Sequence, residues 1–172
     1  MSGHGFCSRP ADLEEIIECS LTGLGPSGRS VRVDLPPGLP KVVADPPVME
    51  RVIANLTAHA LRYSPAGSPP LLTARARSGR IDLRVIDCGP GVLETDRDRM
   101  FAPFQRLGDT DSTTGVGLGL AVSRGLTEAM RGTLQPAQIP GGGLTMTMSL
   151  SVARRPTRAH RPGCRPRGRA GS

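Results

Sequence analysis

Thr114-Gly115-Val116-Gly117-Leu118-Gly119-Leu120, running on into Ala121-Val122-Ser123-Arg124, is the stretch on which the reading of this chain turns. Three glycines at alternate positions open directly into an apolar helical run. Glycine has no Cβ, so the backbone there can approach a ligand closely and present its N–H groups. The helix behind it adds unpaired N–H groups and the positive end of its dipole. Such a cradle suits an anion, phosphate above all. A lone G-x-G-x-G is weak evidence, and the other walls of a nucleotide site must come from elsewhere in the chain.

Working outward, residues 107–117 are polar, glycine-bearing and without periodicity, which predicts a mobile loop able to act as a lid. Before it come a short helix over Asp96–Phe101 and the run Met100-Phe101-Ala102-Pro103-Phe104, which holds two of the three phenylalanines. After it, the pattern predicts a helix over Leu118–Met130 with Gly132 as its C-cap. A strand at Thr133–Gln135, a Gly141-Gly142-Gly143 turn and an alternating final strand over Leu144–Val152 complete that side.

Further upstream, Leu71–Arg77 and Arg80–Asp87 read as a hairpin turning at Ser78-Gly79. Its second strand ends in Asp87-Cys88-Gly89-Pro90-Gly91. A strand-end aspartate before glycines can aim its carboxylate into a pocket while the backbone turns away; a plain Asp-x-Gly turn is the alternative. Asp45 caps a helix with Pro46 at its first position, running to Tyr63. Val48, Met49, Val52, Ile53, Leu56, Ala60 and Leu61 form its apolar stripe. Asn55, His59 and Arg62 recur at i, i+4 and i+7 and share the neighbouring stripe, where polar groups either line a site at the core's edge or face solvent. Earlier still are a short piece at Val42-Val43-Ala44, a half-buried strand over Arg29–Leu35 and an amphipathic helix over Ala11–Leu21.

The 172 residues suit one domain: a flexible lead-in at 1–10, a folded body at 11–152 and a tail at 153–172. Aromatics make up only 2%, so aliphatic residues and methionine must build the core. The net charge of +7 hints at nucleic acid, but the excess sits in seven tail arginines, and the body is balanced at 15 basic and 15 acidic residues. That Arg-, Pro- and Gly-rich tail is expected to be disordered, with no specific nucleic-acid partner. No apolar run is long enough to span a bilayer, and no secretory leader follows Met1, so a cytoplasmic protein is expected. Cys7, Cys19, Cys88 and Cys164 are widely spaced, as expected of reduced thiols.

The order Asn-x-x-x-His on a helix, Asp-x-Gly-x-Gly after a strand, Phe-x-Pro-Phe, a polar lid, Gly-x-Gly-x-Gly-Leu and a glycine-rich last hairpin resembles the catalytic ATP-binding domain of sensor histidine kinases. That superfamily also includes DNA gyrase, a heat-shock chaperone family and the MutL-type ATPases. The wording of residues 104–109 and 113–125 is similar to KdpD-type potassium sensor kinases in particular, and the match covers roughly residues 10–152. The fold this implies is α+β, a two-layer α/β sandwich of the Bergerat type. It has a mixed, mostly antiparallel sheet with helices on one face. ATP with Mg²⁺ would lie between helix and lid.

By that resemblance Asp87 would accept from the adenine amino group, Gly89 and Gly91 would turn beneath the base, and Tyr63 would lie near adenine or ribose. Thr114, Gly115, Val116, Gly117, Leu118 and Gly119 would form the phosphate side. Arg62 and Arg106 would approach the phosphates, and Phe101 and Phe104 would anchor the base of the lid. Asn55 would act at the phosphate and metal.

Two departures matter. The family's helix box reads Asn-x-x-x-Asn, and the second asparagine holds Mg²⁺; here that place is taken by His59. Magnesium seeks hard oxygen, whereas imidazole suits softer metals, so weaker Mg²⁺–ATP binding is expected. The only other histidines, His4 and His160, sit in the lead-in and the tail, outside any phosphoacceptor context. The expected acceptor is therefore a histidine on a separate dimerisation domain or chain, with a response regulator served indirectly. The rival readings are a degenerate nucleotide-binding or interaction module without kinase activity, and an anti-sigma-type serine kinase.

Overall fold

The structure, a computed structural model, describes residues 7–97, 99–102 and 118–153. Its centre is a five-stranded sheet in the order β2-β4-β5-β7-β6, formed by Arg32–Asp34, Leu71–Arg77, Arg80–Ile86, Leu144–Ser151 and Thr133–Gln138 respectively. The β2–β4 pair is parallel and every other pairing in the sheet is antiparallel. A small antiparallel pair, β1 (Arg9–Ala11) with β3 (Val42–Ala44), joins the end of β7 through the Val42–Val152 bridge. Three helices, α1 (Leu13–Gly23), α2 (Pro46–Tyr63) and α3 (Gly119–Ala129), form the second layer. This is the two-layer α/β sandwich expected.

Alternation decides which face they cover. Ile81, Leu83 and Val85 of β5 are buried, as are Leu144, Met146, Met148 and Leu150 of β7, while their intervening neighbours are half-exposed. The register sets Leu83 opposite Met148 and Val85 opposite Met146, so the apolar sets share one face. Met49, Val52, Ile53 and Leu56 of α2 and Leu13, Ile16 and Ile17 of α1 pack on it. Each such aliphatic side chain withdrawn from water stabilises the fold by about 2 kcal/mol.

The caps explain why the helices start where they do. The Asp12 carboxylate accepts from Glu14 N at 3.1 Å at the start of α1. At α2 the Asp45 side chain accepts from Val48 N at 3.4 Å, and Pro46 takes the first position, where no N–H is needed.

Several details differ from the sequence reading. Arg9 and Pro10 belong to β1 rather than to a loose lead-in, because β3 offers them a pairing edge. The strand foreseen over Arg29–Leu35 is shortened to β2: Gly25–Ser30 form a 3-10 turn, and Val33 on this edge strand is 45% exposed. The foreseen helix at Asp96–Phe101 is instead two 3-10 turns, Glu94–Asp96 and Arg99–Phe101. The residue that turns left-handed after α3 is Arg131 (φ 58°), not Gly132. Gly132 is demanded by packing instead: a Cβ there would lie 2.7 Å from Leu150 Cδ2 and 2.8 Å from Ser149 O. The lead-in before Cys7 and the tail after Ala153 lie outside the described residues.

Candidate functional site

Asp87 follows the last residue of β5 and continues its inward face, so its carboxylate is carried under the helical layer and is 3% exposed. Its Oδ1 accepts from Gly89 N at 2.9 Å and from Leu144 N at 3.1 Å. The backbone is tied as well, Asp87 N donating to Leu144 O at 2.9 Å. A buried carboxylate held by two N–H donors keeps one orientation. The loop after it is packed from both sides by backbone. A Cβ on Gly89 would lie 2.9 Å from Tyr63 O, and one on Gly143 (φ 99°) would lie 2.5 Å from Asp87 O. Gly91 sits against the same glycine run, beside Gly143 O and Gln138.

The helix α2 supplies the opposite wall. Asn55 and His59 are half-buried on its edge, and Arg62 is exposed at its last turn. The His59 ring rests on Tyr63, centroids 4.7 Å apart, and the Arg62 guanidinium lies 6.0 Å from the Tyr63 ring centre. Burial pushes the His59 imidazole below its ordinary value of 6.5; the Asp87 carboxylate opposes that shift and the Arg62 charge adds to it.

Asn55 reaches across to α3. Its Nδ2 donates to Ser123 Oγ at 3.3 Å and, more weakly, to Gly119 O at 3.5 Å. Ser123 Oγ in turn donates to Gly119 O at 2.7 Å, and Thr127 Oγ1 donates to Ser123 O at 2.7 Å. The first turn of α3 has no side-chain cap and no acidic residue. Arg124 lies over Phe101, 4.8 Å from the ring centre, and ties α3 to the 3-10 turn Arg99–Phe101.

Asn55, His59, Arg62, Tyr63, Asp87, Gly89, Gly91, Leu118 and Gly119 are thus gathered around the end of α2, the end of β5 and the start of α3. Phe104, Arg106, Thr114, Gly115, Val116 and Gly117 lie outside the described residues. Three contributors escaped the sequence reading. Gly143 and Leu144 had registered only as a turn and a strand start, although a glycine run opposite a strand-end aspartate was available as a signal. Ser123 carried no sequence signal: its role depends on which residue of another helix stands opposite. Among the described residues no group of three or more His, Cys, Asp or Glu could hold a metal ion, and no helix is long and apolar enough to cross a membrane.

The class to which this arrangement belongs is shown by comparison: the chain is a member of the histidine kinase-, DNA gyrase B- and HSP90-like ATPase family, which matches residues 44–154. Within it the chain is similar to KdpD sensor kinases. It is 45% identical to the sensor protein KdpD of Rathayibacter rathayi over 149 residues, covering 87% of this chain and 17% of that protein. With KdpD of Mycobacterium tuberculosis strain H37Rv it shares 43% over 150 residues, 84% of this chain and 17% of that one. Among solved structures, full-length ShkA in complex with AMPPNP superposes with a TM-score of 0.74 at 27% identity, covering 92% of this chain and 34% of that chain. The chain therefore spans only 17% of the length of the KdpD relatives.

Proposed function

We propose that this chain binds ATP between α2, the Asp87 loop and the start of α3, and passes the γ-phosphoryl group to a histidine on a separate dimerisation domain. The observation that carries this is Asp87: a buried carboxylate with Oδ1 fixed by Gly89 N and Leu144 N. Its second oxygen, Oδ2, is then the acceptor for the adenine amino group. Tyr63 lies alongside the base, with Gly89 and Gly91 beneath it. The uncapped first turn of α3, with Leu118 and Gly119, faces the phosphates with its N–H groups. The stretch Thr114–Gly117 and Arg106 would close over them, and Arg62 approaches from the end of α2.

Magnesium usually takes one or two protein oxygens and fills its shell with phosphate oxygens and water. Asn55 can supply one such oxygen; His59, held neutral by burial, supplies only nitrogen. The residues therefore fit Mg²⁺ through Asn55, with a weaker hold than two amides would provide. When bound, the ion neutralises charge on the phosphates. The protein's own share is positioning: transfer breaks the β,γ-bridging P–O bond, forms a P–N bond to the acceptor imidazole and leaves ADP. Full-length ShkA, which resembles this chain in fold and was solved in complex with AMPPNP, supports nucleotide binding here by likeness. A response regulator would then take the phosphoryl group from the acceptor histidine.

The test is a titration of the full chain with ATP, with and without Mg²⁺, followed by labelled phosphotransfer to a supplied KdpD-type dimerisation domain. Binding plus transfer is the expected result. Binding without transfer would reduce the chain to a nucleotide-binding module, and no binding would overturn the proposal.

A further inference from the structure

Asn55 is half-buried, and an amide in that place can face α3 with either end. Its surroundings decide which. The Ser123 hydroxyl hydrogen is committed to Gly119 O at 2.7 Å, so Ser123 Oγ turns a lone pair toward Asn55 at 3.3 Å. Gly119 O, at 3.5 Å, is a carbonyl and accepts only. Both neighbours demand a donor, so Nδ2 faces α3 and Oδ1 is at the end turned from those two acceptors. Ser123 is itself 0% exposed and braced from below by Thr127, whose hydroxyl donates to Ser123 O at 2.7 Å and lies 3.7 Å from Met148 Sδ of β7. The chain of contacts runs from α2 through α3 to the sheet.

We infer that Ser123 is a positioning residue for the metal end of the site: it sets the Asn55 amide so that Oδ1 is presented to Mg²⁺–ATP. This rests on the proposed ATP site. It matters more here because His59 brings no oxygen, so the direction of the one amide oxygen rests on Ser123 Oγ, the nearer of the two acceptors, and on Gly119 O. Groups that orient a ligand from behind are commonly worth ten- to a hundredfold in metal affinity (roughly).

The test is a fluorescent ATP analogue titrated into the full chain, in Mg²⁺ and in EDTA, for the unaltered protein, Ser123→Ala, Asn55→Ala and the double variant. Alanine favours helix and leaves no charge buried, so Ser123→Ala should fold, and a thermal melt checks that. The expected result is that Ser123→Ala weakens binding about tenfold in Mg²⁺. It should leave the EDTA affinity unchanged and have no further effect once Asn55 is alanine. Equal weakening in Mg²⁺ and EDTA, or an undiminished effect in the Asn55→Ala background, would show Ser123 to be packing alone and overturn the inference. An unaltered protein that binds ATP equally with and without Mg²⁺ also overturns it while sparing the ATP site; one that binds no ATP overturns the site reading itself.

Discussion

The two ends of the candidate site are held by different means. At the Asp87 end, the holding bonds come from the same loop and the adjoining strand: Gly89 N is two residues away and Leu144 N belongs to β7, the neighbour of β5 in the sheet. Backbone packs against backbone there, so little can shift without disturbing the sheet. At the Asn55 end, the tie crosses between two helices, through a 3.3 Å and a 3.5 Å bond from one amide. Sheet-borne geometry is rigid, whereas a tie made by one side chain between two helices can shift when a ligand binds. The site is therefore expected to hold its base-binding end constant and to vary at its phosphate end.

Breaking the Asp87 end should have the largest effect. Asp87→Ala leaves two buried N–H groups unpaired, at about 1–3 kcal/mol each, and removes the acceptor for the base. ATP affinity should fall at least a hundredfold (an order-of-magnitude figure for a lost buried recognition group). Asp87→Asn separates the two losses: it can keep Oδ1 for Gly89 N and Leu144 N while turning a donor toward the base. Urea unfolding should then stay near that of the unaltered protein while ATP binding is still lost. Retained binding in Asp87→Asn would place the base elsewhere.

A smaller effect at the same end is expected from Gly143→Ala. The new Cβ would meet Asp87 O at 2.5 Å, in a backbone conformation (φ 99°) that alanine resists. A loss of about 2–3 kcal/mol in urea unfolding is expected. An unchanged midpoint would mean that the two loops are free to part, contrary to the rigidity assigned to them.

The smallest effects belong to the other end. His59→Asn should raise Mg²⁺-dependent ATP affinity, by about tenfold, with little change in EDTA. No gain would show that His59 is not what limits the metal. The same variant reports on pH. Above the ordinary value of 6.5, His59 is neutral in both the folded and the unfolded chain and adds no pH dependence. As the pH falls through 6.5, the unfolded chain takes up a proton that the buried ring resists, so stability falls, and it keeps falling until the lowered folded value is passed. Urea midpoints measured between about pH 8 and about pH 5 should drop less in His59→Asn than in the unaltered protein.

How legible each feature was follows from how far its causes lie along the chain. The start of α2 was readable to the residue because Asp45 and Pro46 act within one turn. The β4–β5 hairpin was readable because alternation and a Ser-Gly turn are local, and Asp87 because it continues the inward parity of Ile81, Leu83 and Val85. By contrast, β1 exists because β3 lies alongside it, and the exposure of Val33 goes with the place of β2 at the edge of the sheet. The helix and strand periods, the caps and the ordered run of motifs that marks the family follow from local order along the chain, since these depend on neighbours a few residues apart. That Leu144 N holds Asp87 and that Ser123 stands opposite Asn55, 57 and 68 residues away in the chain, follows from the folded arrangement alone. Those contacts depend on how strands register and helices cross, which no local pattern of residues states.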